Sequence, residues 1–173
     1  MGVKCVKLYC NPNGEFPHNP EPLPENLTKI SKLVIEENAD FGIAVDPDVD
    51  RLVFVCEDGS FFGEENTIIA IGSYVLSKLK GSTVSNLSSS NGLRDITLKR
   101  NLKHYYSAVG ESNVIKVMKE KQSIFGGEGS GGVIFPKLHF GRDALVGIAL
   151  FLSYFSEFNL SCKEIKNKLP AYF

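Results

Sequence analysis

Asp46-Pro47-Asp48-Val49-Asp50-Arg51 lies between two apolar runs, Phe41-Gly42-Ile43-Ala44-Val45 before it and Leu52-Val53-Phe54-Val55-Cys56 after it. Three carboxylates at alternate positions repel one another unless a positive charge sits among them. Oxygen-only donor sets of this kind suit hard divalent cations, Mg²⁺ or Ca²⁺. Arg51 adds a fixed guanidinium suited to phosphate or carboxylate. The stretch therefore reads as a metal loop at the end of a strand, with Asp46, Asp48 and Asp50 as ligands and Arg51 facing a phosphorylated substrate. An EF-hand is the obvious rival, since Glu57 falls at the twelfth place. However, the sixth place should be Gly and is Arg51, and both flanks are β-like where an EF-hand needs helices. A phosphatase with an aspartyl nucleophile also begins with a strand and Asp-x-Asp, but there Asp50 would be Thr or Val.

The rest of the chain alternates strands and helices, which predicts an α/β class with two units of mixed sheet flanked by helices. Val3–Cys10 alternates as a strand would. Phe16 to Pro24 holds Pro17, Pro20, Pro22 and Pro24 and reads as an extended surface strap. A helix is predicted from Pro24 to Asn38, with Leu27, Ile30, Leu33 and Val34 on one face. Beyond the Asp58-Gly59 turn come a helix over Glu64–Leu79, a strand over Thr83–Leu87, and a helix near Leu93–Arg100 that Ser88-Ser89-Ser90-Asn91 would cap. A strand at His104–Ala108 and a helix at Glu111–Lys121 follow. Strands at Ser123–Phe125 and Val133–Phe135 flank a glycine-rich loop, and helices over Arg142–Phe158 and Ser161–Leu169 end the chain. The predicted units are 1–61 with the metal loop, 62–160 with the glycine-rich loop, and a connecting segment, 161–173.

Composition narrows the function. The 173 residues are 43% hydrophobic and 23% charged, as in a globular protein with a real core. A net charge of −1 argues against a general nucleic-acid binder. No apolar run approaches the ~20 residues of a membrane span. Without a signal-peptide core at the start, a cytoplasmic location is expected. Cys5, Cys10, Cys56 and Cys162 form no C-x-x-C pair and read as buried free thiols. His104 and His139 carry no spacing signal and default to the surface. His18, in Pro17-His18-Asn19-Pro20, reads as structural.

Gly126-Gly127-Glu128-Gly129-Ser130-Gly131-Gly132 contains a G-x-G-x-x-G match, yet it leads into the strand-like Val133-Ile134-Phe135 rather than a helix, which argues against a dinucleotide site. Five glycines let the backbone approach a ligand, while Glu128 and Ser130 are placed to grip sugar hydroxyls.

Together these residues resemble the α-D-phosphohexomutases, the family of phosphoglucomutase, phosphomannomutase and phosphoglucosamine mutase. Its metal loop, Asp-x-Asp-x-Asp-Arg, is matched by Asp46, Asp48, Asp50 and Arg51. Its sugar loop, Gly-Glu-x-Ser-Gly, is matched by Gly127, Glu128, Ser130 and Gly131. Val109-Gly110-Glu111, the Phe16–Pro22 strap and the Gly141-Arg142-Asp143-Ala144-Leu145 helix start are similar too. Gly132 stands where the common sugar loop often has His. The resemblance implies the later part of the second domain and the third domain of a four-domain enzyme. It further implies Mg²⁺ on the three aspartates, a phosphorylated hexose as substrate, and Glu128 and Ser130 orienting the sugar. The first domain, with its phosphoserine, and the fourth, with its phosphate clamp, would be partners. The implied reaction interconverts sugar 6-phosphate and sugar 1-phosphate through a bisphosphorylated intermediate, with glucosamine or mannose as the sugar. Neither the Ser-His-Asn-Pro nor the Arg-Pro-Ser-x-Thr motif occurs in these residues, so the chain alone is expected not to turn over. The alternatives are a non-catalytic Mg²⁺ and sugar-phosphate binding module, or an unrelated Mg²⁺-dependent phosphatase.

Overall fold

The apolar runs on either side of the acidic loop, β1 (Phe41–Val45) and β2 (Leu52–Cys56), pair antiparallel from Phe41↔Cys56 to Val45↔Leu52 in a computed structural model that describes residues 2–172. Every residue of β2 is buried. A strand buried on both faces carries continuous rather than alternating hydrophobicity. That is why Leu52-Val53-Phe54-Val55-Cys56 has no polar member. Helix α1 (Thr28–Glu36) packs against it, as do α2 (Glu64–Lys78), α5 (Ala144–Phe158) and α6 (Cys162–Asn167).

The second sheet has the order β4-β3-β5-β6, with β3 (Thr83–Asn86), β4 (His104–Ser107), β5 (Phe125–Glu128) and β6 (Gly132–Ile134). β3 runs parallel to β4 and β5, and β6 returns antiparallel to β5, so the sheet is mixed. α2 and α3 (Gly92–Leu98) contact this sheet along β5 and β3, and α4 (Glu111–Lys121) packs against β3, β4 and β5. Glu64 and Glu65 open α2 and Lys78 closes it, so its end charges oppose the helix dipole. Val84, Val114, Met118 and Ile134 form the smaller core, beside α4. The larger core joins the hairpin to the sheet's other helices. Phe54 stacks on Phe151 at 3.8 Å between ring centroids, and Phe41 and Phe62 meet Phe151 edge-on. The hairpin is thus anchored through α5.

Several expectations need correction. Val3–Cys10 forms no strand and joins neither sheet, because alternation makes a segment able to pair but does not supply an edge to pair with. Cys5 and Cys10, on that segment, are exposed, while Cys56 and Cys162 are buried and adjacent. The helix predicted over Pro24–Asn38 divides into a 3-10 turn, Pro24–Asn26, and α1. β5 starts at Phe125 and continues to Glu128, and β6 starts at Gly132, so four of the seven residues of the expected glycine loop, Gly126–Gly132, are strand; its five glycines leave no side-chain alternation to read. His104 is half-buried, accepting or donating at both ring nitrogens to Thr83 Oγ1 (2.8 Å) and Ser85 Oγ (3.2 Å). Burial, with the nearby Arg94 charge, lowers its pKa to about 4. His139 is exposed as expected and meets Asp143 at 2.8 Å. Among the described residues, no helix is long and apolar enough to cross a membrane.

Candidate metal and sugar-phosphate site

Three parallel strands end together at the site. Asn86 closes β3, Glu128 closes β5, and Gly110 follows β4 at the start of α4. Side chains and N–H groups at the carboxyl ends of parallel strands converge because no helix covers that edge. Asn86 Nδ2 donates to Glu128 Oε1 at 2.6 Å, and the Gly110 N–H donates to the same oxygen at 3.1 Å. Gly110 can do this because its φ of +108° turns the chain into α4. Glu128 is buried, and its other oxygen, Oε2, accepts from Arg142 Nη1 at 2.8 Å.

The acidic loop is built as tightly. Asp46 is buried; its Oδ1 accepts from the N–H groups of Asp50 (3.1 Å) and Arg51 (3.0 Å), and its Oδ2 accepts from Arg51 Nε (2.7 Å). Burial alone would raise the Asp46 pKa, but the hydrogen bonds from Arg51 outweigh it and hold the carboxyl at about 2. Asp50 goes the other way: burial and the neighbouring Asp46 and Asp48 outweigh the attraction of Arg142, and its pKa rises to about 6. Val49 sits in the left-handed region at φ +59°, which is unfavourable for a β-branched residue. Two bonds hold that turn: Val49 N–H to the Asp46 carbonyl (3.1 Å), and Ala144 N–H, at the start of α5, to the Val49 carbonyl (3.0 Å). One carboxylate oxygen from each of Asp46, Asp48 and Asp50 lies within 4.8 Å of the others, with Asp48 exposed.

The two loops share one surface. Leu52 N–H donates to the Gly131 carbonyl at 3.3 Å, and a side chain at Gly131 would overlap the Leu52 carbonyl oxygen. Gly131 has φ +91° as well, so glycine is required there twice over. Ser130 occupies the β5–β6 turn beside it, half-buried. Gly127, inside β5, leaves no room for a Cβ against the Gly132 carbonyl. All eight residues singled out in the sequence therefore belong to one region.

Residues that the sequence did not single out complete it. Glu21, on the proline-rich strap, grips Arg51 with both oxygens, at 2.6 Å to Nη1 and 3.0 Å to Nη2. That bond lowers the Glu21 pKa, and Glu21 with Asp46 raises that of Arg51. Ser89 Oγ accepts from the Gly129 N–H at 2.8 Å, and Glu65 takes both the N–H (3.0 Å) and the hydroxyl (2.9 Å) of Ser90. The serine run therefore braces the glycine-rich loop more than it caps α3, although Ser90 Oγ also accepts the Gly92 N–H at 3.3 Å. Arg142 donates to Asp50 as well as to Glu128. Six carboxylates (Glu21, Asp46, Asp48, Asp50, Glu111, Glu128) face two guanidiniums (Arg51, Arg142). An all-oxygen donor set with that negative excess fits a hard divalent cation on Asp46, Asp48 and Asp50.

Comparison with known proteins places the chain in a family. The family model described as phosphoglucomutase/phosphomannomutase, alpha/beta/alpha domain III, matches residues 64–173, and that for domain II matches 1–59. The chain is 35% identical over 175 residues to a phosphoglucomutase/phosphomannomutase of Thermococcus kodakarensis, covering 100% of this chain and 38% of that protein. It is 33% identical to a phosphoglucosamine mutase of Aliarcobacter butzleri, covering 99% of this chain and 39% of the relative. The crystal structure of a phosphoglucomutase/phosphomannomutase family protein from Burkholderia thailandensis superposes with a TM-score of 0.81 at 26% identity, covering 90% of this chain and 34% of that one. The chain thus spans well under half the length of the curated relatives it matches.

Proposed function

The chain belongs to the phosphoglucomutase/phosphomannomutase family, and from that premise we propose that it supplies the metal-binding and sugar-binding loops of an enzyme that moves phosphate between the 6- and 1-positions of a hexose. The observation that carries the reading is the single guanidinium of Arg142 spanning Asp50 of one loop and Glu128 of the other. It supports a cation and a sugar bound as neighbours, as phosphoryl transfer between a sugar and a metal-stabilised acceptor requires.

Asp46, Asp48 and Asp50 would hold Mg²⁺, which when bound neutralises the charge of the transferring phosphoryl group. Arg51 is fixed by Glu21 and Asp46, so it would meet a phosphate without having to be ordered during the reaction. Glu128, pinned by Asn86, Gly110 and Arg142, would offer the one lone pair left on Oε2 to a sugar hydroxyl, with Ser130 beside it. The phosphorylated serine and the clamp on the distal phosphate would come from the partner domains of the family's four-domain plan. Glucosamine and mannose phosphates are the first substrates to try.

Calorimetric titration of the purified chain tests this. With Mg²⁺ present, glucosamine 6-phosphate or mannose 6-phosphate should bind, Glu128→Ala should weaken that binding at least about tenfold, and no inorganic phosphate should be released. Release of phosphate by the chain, abolished in Asp46→Asn, would favour the aspartyl phosphatase instead. Failure of every hexose phosphate to bind would refute the sugar-loop assignment.

A further inference from the structure

Among the described residues, Arg142 hydrogen-bonds a carboxylate of each loop, and its surroundings do not satisfy it. Nη1 donates to Glu128 and Nη2 to Asp50, while Nε is buried without a partner and lies 4.0 Å from the nearest Glu111 oxygen. The backbone N–H of Arg142 is fixed to Glu111 Oε1 at 2.7 Å, so the main chain is held while the head of the side chain is shared among three carboxylates. Its stem occupies the space that a side chain at position 132 would need: a Cβ on Gly132 would overlap Arg142 Cδ. Gly132 has no left-handed backbone to accommodate, so glycine serves there to make room for Arg142.

An arginine in this position competes with any cation for Asp50. Asp50 has Arg142 on one side and Asp46 and Asp48 on the other, and a divalent ion bridging the triad must draw it away from the guanidinium. A guanidinium displaced in that way does not leave, because Nη1 still donates to Glu128 and Glu111 holds the Arg142 backbone N–H, and Nε remains a buried N–H free to donate. We infer that Arg142 is an exchangeable counter-ion: it holds Asp50 when no divalent cation is bound, and once displaced it turns wholly to the sugar loop, so that cation and sugar phosphate favour each other's binding. This rests on the metal assignment above and adds a positioning residue to it. By linkage, whatever factor the cation adds to sugar-phosphate affinity, the sugar phosphate must add to cation affinity.

The test is cation binding by the full chain, measured calorimetrically with Mn²⁺ and repeated in saturating glucosamine 6-phosphate. Arg142→Met removes the competitor, so it should bind Mn²⁺ about fivefold more tightly than the unaltered chain, the scale of one partly buried ion pair. It should also lose the tightening that glucosamine 6-phosphate produces in the unaltered chain. Arg142→Lys keeps the charge and should stay near the starting affinity. A purely structural clasp predicts the opposite sign, with Arg142→Met binding Mn²⁺ equally or less well; that result would overturn the inference. Should Arg142→Met not fold, the unaltered chain decides: the ¹⁵N–¹H resonance of Arg142 Nε should move on adding Mg²⁺, and an unmoved resonance would overturn it. A chain that binds no cation refutes the metal assignment and this inference together, whereas cation binding indifferent to Arg142 refutes only the inference.

Discussion

Replacing Asp46 by Asn tests the acidic loop most sharply, because that carboxylate has two separable duties. In the fold it is an acceptor for three N–H groups, those of Asp50, Arg51 and the Arg51 guanidinium. Holding the carboxyl at about 2 rather than its ordinary 3.8 corresponds to about 2 kcal/mol, at 1.36 kcal/mol per pKa unit. Asn can satisfy the two backbone donors with its one oxygen, but its Nδ2 then confronts Arg51 Nε, donor against donor. The loss of a charge-assisted bond and the misfit together should cost about 3 kcal/mol. Urea unfolding at pH 7 in EDTA should show that loss. The sign with pH is fixed: a lowered carboxylate pKa stabilises fully above 3.8 and is lost as pH falls through 2. The gap between the two proteins should therefore close over that window. With Mg²⁺ at about a hundred times its Kd, the unaltered chain should gain about 2.7 kcal/mol and Asp46→Asn almost none. A variant within 0.5 kcal/mol of the unaltered chain at pH 7, or equally stabilised by Mg²⁺, would refute the reasoning.

Two further outcomes follow from the same structure. His104 is neutral in the fold with its pKa at about 4, against 6.5 when exposed, so stability should fall as pH drops from 6.5 toward 4. Discounted for its partial exposure, the fall is about 2 kcal/mol, and His104→Asn should flatten it in thermal melts across that range. Gly131→Ala forces a side chain onto the Leu52 carbonyl at φ +91°. A loss of about 3 kcal/mol is expected, with sugar-phosphate affinity measured by calorimetry falling more than Mg²⁺ affinity; equal losses would mean that the two loops do not meet through Gly131.

Much of this was legible in the chain. The acidic loop and its two strands could be read to the residue, because buried strands of five apolar residues bounded by charges leave few alternatives. Helices such as Glu111–Lys121 were legible for a similar reason, the glycine before them and the charges at their ends. Strand Phe125–Glu128 is misplaced by sequence pattern because glycines carry no periodicity. Val3–Cys10 looks like a strand and forms none because strand-like alternation is local while pairing is not. The same division runs through the site. Asp46, Asp48, Asp50, Arg51, Gly127, Glu128, Ser130 and Gly131 announce themselves by type and spacing. Glu21, Asn86, Ser89, Glu65 and Arg142 do not, because their partners stand up to 92 positions away in sequence and no local pattern encodes a contact of that range. The residue types fix what chemistry each loop can do. That the loops lie together is decided by the packing of α5 on β2, which brings the start of that helix, with Arg142 just before it, to the acidic turn.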